Sequence, residues 1–135
     1  MDDTLLPAAA LAARLRARRE TIAVVESSAG GLIPAALLAQ PGASAYFLGG
    51  AIVYTATARE ALLGITPADV AGLRSSSEPY AQLLARRVRE RLGATWGLAE
   101  TGAAGPSGNR YGDAADRTSS GRSSPLPLCS SAISS

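Results

Sequence analysis

The feature that most constrains the fold is the alternation of short, almost continuously apolar runs with segments of helical periodicity. Residues 21–25 and 95–100 are typical of strands covered on both faces. Residues 46–54, between these two runs, predict a further strand. Gly49 and Gly50 within it predict a bulge or a close approach of another backbone. Apolar spacing and capping signals predict helices over 4–19, 32–39, 57–63, 67–73 and 75–92. We therefore expect an α/β fold, a three-layer α/β/α sandwich around a mixed, mainly parallel sheet.

The periodic pattern stops near residue 114. Residues 116–135 contain eight Ser, two Pro and no periodic apolar face, which is typical of a disordered tail. We predict one domain over residues 1–115 and a Ser-rich, disordered tail over 116–135. A domain of this plan normally adds a strand and a helix at this point. We therefore expect the domain to lack its last strand and helix, or to be completed by a partner.

The choice of basic residues limits the chemistry. All 13 basic residues are Arg, with no Lys and no His. This excludes a His-based triad, a Lys Schiff base and a His-ligated zinc site. The only cysteine, Cys129, lies in the tail and predicts neither a disulfide framework nor a metal site. Catalysis would then depend on Ser, Thr, Tyr, Asp, Glu or Arg, with no metal and no cofactor.

Charge and hydropathy indicate the compartment and the class of partner. No apolar run approaches the roughly 20 residues that span a bilayer, and the charged first twenty residues do not fit a secretory signal. We expect a cytoplasmic protein without a membrane partner. The pI is near 9.1, but the Arg residues at 86–91 alternate with Glu90 as on a solvated helix face, and aromatic residues are only 4%. No nucleic-acid partner is expected.

Three Gly- and Ser-rich loops are the candidate functional segments. The loop ESSAGG at 26–31 turns a strand into a helix, where N–H groups favour an anion such as phosphate. The loop TGAAGPSG at 101–108 follows another strand and suits phosphate or ribose. Ligands of such sheets bind at the carboxyl ends of strands, so we expect the loops to surround one small anionic ligand. An ordinary helix cap and a plain long loop remain the alternatives.

The third loop, residues 41–50, carries Ser44 just before a strand, with Tyr54 at the far end and Arg59 five residues later. A serine nucleophile needs a base, and Arg stays protonated. The remaining candidates are a carboxylate, a tyrosinate near Arg59 and substrate-bound water. Ser44 as a simple turn residue is the alternative.

Taken in order, VESSAGG at 25–31, PGASAYF at 41–47, GG at 49–50, Tyr54, LLG at 62–64, SE at 77–78 and TGAAGP at 101–106 resemble the CinA carboxy-terminal domain family. The resemblance covers about residues 5–113. It implies nicotinamide mononucleotide deamidases, which are metal-free amidohydrolases that release ammonia, and it implies a homo-oligomer. The substrate would be a small-molecule nucleotide of pyridine nucleotide salvage and NAD metabolism.

The resemblance also implies roles for individual residues. Ser44 matches the family's nucleophile, Tyr54 a tyrosine near the reacting amide, and Arg59 stands where the family has a lysine base. Backbone and hydroxyl groups of the loops would bind substrate: Ser27, Gly30, Gly31, Gly49, Thr101, Gly102 and Gly105. Three hypotheses follow: an amidohydrolase, a nucleotide-binding module without turnover, and a truncated or frame-shifted product.

Overall fold

The computed structural model describes residues 5–102 and 130–134. Its helices and strands follow the alternation that the sequence predicts. In chain order they are α1 (Leu5–Arg18), β1 (Ile22–Glu26), α2 (Leu32–Leu38), a 3-10 turn (Ala43–Ala45), β2 (Phe47–Ile52), α3 (Ala56–Leu63), α4 (Glu78–Leu92), β3 (Trp96–Thr101) and β4 (Ser130–Ser134).

The four strands form one mixed sheet in the order β2-β1-β3-β4. The first three are parallel, and β4 runs antiparallel to β3. The connection from β1 to β2 contains α2. Helix α4 precedes β3, which lies on the other side of β1 from β2. The predicted α/β class with a mainly parallel sheet is confirmed.

Strand β1 lies at the centre and is buried along its whole length. Its side chains alternate between the two faces. Ile22 and Val24 pack with residues of α1 and α2, whereas Ala23 and Val25 pack with residues of α4. A parallel strand covered on both faces has no solvent side, which explains why the run is almost wholly apolar.

Gly49 and Gly50 mark a bulge where β2 meets β1. Ile22 pairs with Phe47 but Ala23 pairs with Gly49, so Leu48 is an extra residue in β2. A Cβ added to Gly50 would lie 1.8 Å from the carbonyl oxygen of Val24. Both the predicted bulge and the predicted close backbone approach are confirmed.

The helix expected over residues 67–73 does not form. Consecutive turns replace it, with the N–H of Asp69 donating to the Thr66 carbonyl at 3.0 Å. The Asp69 carboxylate accepts from the Thr66 N–H at 2.9 Å. Such a local bond between side chain and backbone competes with helical hydrogen bonding.

Residues 130–134, which the sequence analysis places in the expected tail, form strand β4 in the structure. The backbone of Ser130–Ser134 pairs with β3, from Thr101 opposite Ser130 to Gly97 opposite Ser134. Without β4, strand β3 would present a row of unpaired N–H and C=O groups, and this pairing satisfies them. Residues 103–129 and 135 lie outside the described residues, so the domain boundary at residue 115 stays a prediction.

In the part of the chain that the structure describes, no helix is both long and apolar enough to cross a membrane.

Candidate functional site

The carboxyl ends of β1, β2 and β3 lie at the same edge of the sheet, which we call the carboxyl edge. Glu26 pairs with Ile52 on one side and with Glu100 on the other. The residues that follow the strands, including Ser27 and Tyr54, therefore begin at this edge. This is the edge at which α/β sheets bind ligands, because every strand ends there in a loop.

The carboxylate of Glu100 organises the loop after β1. Its Oε2 accepts hydrogen bonds from the N–H groups of Ser27, Ser28 and Ala29 at 2.9, 3.0 and 2.9 Å. Its Oε1 accepts from the Ser28 hydroxyl. Glu100 is fully buried. The N–H groups that the sequence assigned to a bound anion thus already bind a carboxyl group of the chain itself.

Glu26, the partner of Glu100 across the strands, anchors the rest of the same loop. Its carboxylate accepts from the N–H of Gly31 at 3.0 Å and from the N–H of Ile33 at 3.2 Å. Burial raises the pKa of Glu26 above its ordinary value, the Gly31 N–H opposes that rise, and the nearby Glu100 carboxyl adds to it. Within residues 5–102 and 130–134, no arginine forms an ion pair with either glutamate. The two carboxylates are held by N–H and hydroxyl donors.

Thr101 ties the end of β3 to the segment before α4. It is only 1% exposed, and its hydroxyl donates to the Ser75 carbonyl. The donor is engaged, while the Thr101 oxygen keeps acceptor capacity. Gly102 follows directly and is half-buried. Gly105 lies outside the described residues.

Arg59 is buried between α3 and α4, and its partner is not the predicted one. It is 8% exposed, and its Nη1 donates to the Tyr80 hydroxyl at 3.2 Å. Its Cζ lies 5.9 Å from the centre of the Tyr80 ring, and its Nε has no hydrogen-bond partner among the described residues. Tyr54 is 79% exposed. The structure pairs Arg59 with Tyr80, whereas the sequence suggested Tyr54.

The structure does not bring Ser44 to the carboxyl edge. Ser44 is exposed in the 3-10 turn that precedes β2, and the adjoining Tyr46 carbonyl accepts from the Ile22 N–H at 2.8 Å, at the start of β1. The rise of β1 alone separates the two edges by about 13 Å. A loop before a parallel strand lies at the opposite edge from the loops that follow strands, so within one chain the three loops do not gather at one edge.

Gly49 is also away from the edge. It lies within β2, opposite Ala23, and a Cβ added there would be 3.6 Å from Leu92 Cδ1. The other predicted loop residues that the structure describes lie at or just beyond the carboxyl ends of β1 and β3: Ser27, Gly30, Gly31, Thr101 and Gly102.

Sequence reasoning missed Glu100 and Tyr80, and it gave Glu26 no site role. A signal for the glutamates is present, because each of the runs IAVVE and WGLAE begins as an apolar strand and carries a carboxylate near its carboxyl end. Acidic side chains at matching positions of two buried strands indicate partners that must neutralise or bind them. No comparable signal marks Tyr80, since one aromatic residue in an amphipathic helix is usually a packing residue.

A cavity of about 230 Å³ lies elsewhere, between α1 and the sheet. It is lined mainly by apolar side chains, among them Leu11, Leu15, Trp96 and Leu98. None of the carboxyl-edge residues lines it, so the cavity and the candidate site are separate features. In the described ranges, no group of three or more His, Cys, Asp or Glu residues could hold a metal ion.

The loops lie in a part of the chain that is similar to known proteins. A sequence profile described as the CinA C-terminal domain matches residues 6–116. This chain belongs to the CinA C-terminal domain family. A CinA-like protein of Synechocystis is 46% identical over 107 residues, which cover 79% of this chain and 25% of that relative. A CinA-like protein of Myxococcus xanthus is 43% identical over 101 residues, 75% of this chain and 24% of the relative. The CinA domain here spans about a quarter of these relatives.

Solved structures of CinA superfamily proteins share the fold. One from Klebsiella pneumoniae superposes with a TM-score of 0.78 at 28% identity, covering 85% of this chain and 72% of that chain. Another from Escherichia coli gives 0.78 at 25% identity, covering 99% of this chain and 79% of that chain. The arrangement of the sheet and its helices is therefore that of the CinA superfamily.

Proposed function

We propose that this CinA domain binds a nicotinamide nucleotide at the carboxyl edge and hydrolyses its carboxamide. Nicotinamide mononucleotide and water would give nicotinate mononucleotide and ammonia. The observation that supports this most is that Ser27 and Thr101 directly follow Glu26 and Glu100, which pair across β1 and β3 at the carboxyl edge. The Ser27 hydroxyl and the loop N–H groups that Glu26 and Glu100 do not bind are donors that suit a ribose phosphate and a developing oxyanion.

In this proposal the exposed Tyr54 ring stands at the rim of the site, where it can contact the nicotinamide ring. Arg59 provides a buried positive charge below the rim. Gly30, Gly31 and Gly102 let the substrate approach the backbone closely, and Gly105 is proposed to do the same. With Ser44 as the nucleophile, a second copy of the chain must supply it, because within one chain Ser44 lies at the opposite edge. Homo-oligomerisation is then part of this version of the proposal.

The chemistry is acyl transfer. A serine hydroxyl attacks the carboxamide carbon, ammonia leaves after the nitrogen takes a proton, and water hydrolyses the resulting ester. A loop N–H group that neither Glu26 nor Glu100 binds, such as that of Gly30 or Gly102, would stabilise the negative oxygen. Tyr54 would pass the proton from Ser44 to the leaving nitrogen.

One observation favours a second candidate, a nucleotide-binding module without turnover. Arg59 stands at the position of the family's lysine base, and a guanidinium cannot accept a proton at working pH. A buried guanidinium with an unused Nε donor is instead suited to holding an anionic group.

Ammonia and nicotinate mononucleotide measured after incubation with nicotinamide mononucleotide test these candidates. The parent is compared with Ser44→Ala, with Arg59→Lys and with Thr57→Ala, an exposed hydroxyl control on α3. Turnover lost only in Ser44→Ala supports the Ser44 version. If the parent binds the nucleotide saturably without forming product, and Arg59→Lys does form product, the result supports the binding module. Neither binding nor product in the folded parent would overturn both.

A further inference from the structure

The outer edge of the sheet at β2 has the composition of a buried surface. Among the described strands β2 pairs only with β1, so its other edge carries N–H and C=O groups that no described strand binds. Edge strands that face water are usually protected by charged residues or by Pro. Here β2 contains no Pro, and no charged residue occurs from residue 27 to residue 58. An edge of this kind pairs readily with another strand.

Exposed apolar side chains gather at the same edge. Leu48 and Ile52 lie in β2 and are 45% and 48% exposed, and the exposed Tyr54 follows two residues later. A Cβ added to Gly49 would lie 3.6 Å from Cδ1 of the exposed Leu92, so α4 also contributes an apolar side chain beside this strand. A patch of large exposed apolar residues marks a surface that binds another protein. The β2 edge therefore offers both backbone groups and apolar contacts to a partner.

The proposed site indicates that this partner is a second copy of the chain. Ser44 stands before β2, whereas Ser27 and Thr101 lie at the carboxyl edge, so one chain cannot complete the site with Ser44. Two identical strands that hydrogen-bond around a twofold axis run antiparallel, and the start of each then lies beside the end of the other. Pairing of two β2 edges would place Ser44 of the partner subunit at the carboxyl edge.

The glycine pair indicates where the twofold axis passes. Gly49 and Gly50 lie in the middle of β2 and have no side chains, so a second backbone can approach them closely. With the axis at Gly50, Leu48 of each chain lies opposite Ile52 of the partner subunit. The two exposed apolar residues of each strand then form cross-strand pairs, which are the contacts that stabilise a sheet.

We propose that this CinA domain forms a twofold dimer by antiparallel pairing of its β2 edges, and that Ser44 of the partner subunit completes the site at the carboxyl edge. Neighbouring strands lie about 5 Å apart, so this serine is beside Tyr54 and about 10 Å from the end of β1. The reacting carboxamide then lies beside Tyr54, and the phosphate extends toward Ser27. The interface is independent of the proposed reaction, whereas the composite site rests on its Ser44 version.

Sedimentation velocity of the full chain tests the interface. We expect a dimer for the parent and, for Leu48→Lys, a dissociation constant raised by about 30-fold or more, because a twofold interface meets each substitution twice. Ala10→Lys adds the same charge at an exposed position of α1 and should dimerise like the parent. A monomeric parent, or a folded Leu48→Lys protein with the parent's dissociation constant, would overturn the interface. If its thermal transition shows that Leu48→Lys does not fold, cross-linking decides the question.

Cross-linking between single cysteines tests the antiparallel arrangement without adding a charge. Cys129, the only cysteine, is replaced by serine, and Ser44→Cys and Tyr54→Cys are introduced into separate chains. Both positions are exposed, so neither substitution removes a core contact. After subunit exchange, a short bismaleimide should join residue 44 of one chain to residue 54 of the other in the mixture, and should join neither variant to itself. Cross-links within either variant alone, or none in a dimeric mixture, would overturn the antiparallel arrangement.

Mixed dimers distinguish failure of the composite site from failure of the proposed reaction. Ser44→Ala and Tyr54→Ala should each lose turnover of nicotinamide mononucleotide. In an equal mixture about half of the dimers contain both variants and one intact site, so about a quarter of the parent's activity should return. Activity of the parent that mixing does not restore would overturn the composite site while the amidohydrolase stands. A cross-linked dimer without product, in the parent and in Arg59→Lys, would support the interface and overturn the reaction together with the composite site.

Discussion

Glu26 and Glu100 are direct partners across two parallel strands, and both carboxyl groups are fully buried at the carboxyl edge. Their carboxyl groups bind the first and the second half of the same loop. Glu100 holds the N–H groups of residues 27–29, and Glu26 holds those of Gly31 and Ile33. The conformation of the loop that carries the candidate hydroxyls is therefore determined by Glu100 on the neighbouring strand β3 as much as by the loop's own sequence.

The first prediction concerns Glu26 and pH. Burial raises the pKa of Glu26 from its ordinary value of 4.5. The folded state thus binds the proton more tightly than the unfolded state, so this group's contribution to stability is complete below about pH 4.5 and declines as the pH rises through the folded pKa. We expect Glu26→Gln to remove that decline. Urea unfolding of both proteins across this pH range measures it, and parallel curves for the two proteins would contradict it.

The second prediction concerns the close approach at Gly50. A Cβ there would lie 1.8 Å from the Val24 carbonyl oxygen, so Gly50→Ala must push β2 away from β1. We expect a loss of about 3 kcal/mol or more in the free energy of unfolding, or no folding at all. Gly72→Ala is the control, because Gly72 has a positive φ of 80 but open space around it. It should cost about 1 kcal/mol. Equal losses in urea unfolding would show that the contact relaxes easily.

The third prediction concerns the contact between Arg59 and Tyr80. Tyr80→Phe removes the hydroxyl that accepts from Arg59 Nη1 and leaves a buried guanidinium with one partner fewer. We expect a loss of about 1–3 kcal/mol in thermal or urea unfolding. Tyr54→Phe removes the same atom from an exposed ring and should leave stability unchanged. A Tyr80→Phe protein as stable as Tyr54→Phe would mean that water replaces the lost hydroxyl.

The fourth prediction concerns β4. Its backbone pairs with β3 between Gly97 and Thr101. Ala132→Pro lies opposite Ala99 and removes an N–H from the centre of the strand. We expect lower stability, and faster hydrogen exchange at the amides of β3, measured by mass spectrometry. Ala132→Gly keeps the N–H and is the matched control. Unchanged exchange in Ala132→Pro, relative to this control, would argue that β3 does not depend on β4.

Local sequence determined much of the fold. Apolar runs with β-branched residues specify β1, the glycine pair specifies the bulge in β2, and Thr55 and Ser77 cap α3 and α4 through their side chains. These features depend on periodicity or on contacts between residues a few positions apart. The strand at residues 130–134 escaped prediction because a short Ser-rich segment becomes a strand only where an edge such as β3 is available to pair with it.

The sequence by itself therefore determined strands β1, β2 and β3, helices α1 to α4 and the hydroxyl- and glycine-rich loops that could bind a ligand. Only the tertiary structure decided which of these residues meet. The parallel register put Ser44 at one edge and Ser28 at the other, buried Arg59 against Tyr80, and brought Glu100 to a loop more than seventy residues earlier in the chain. Such contacts depend on strand order and register, which are set by packing across the whole sheet and not by any local pattern.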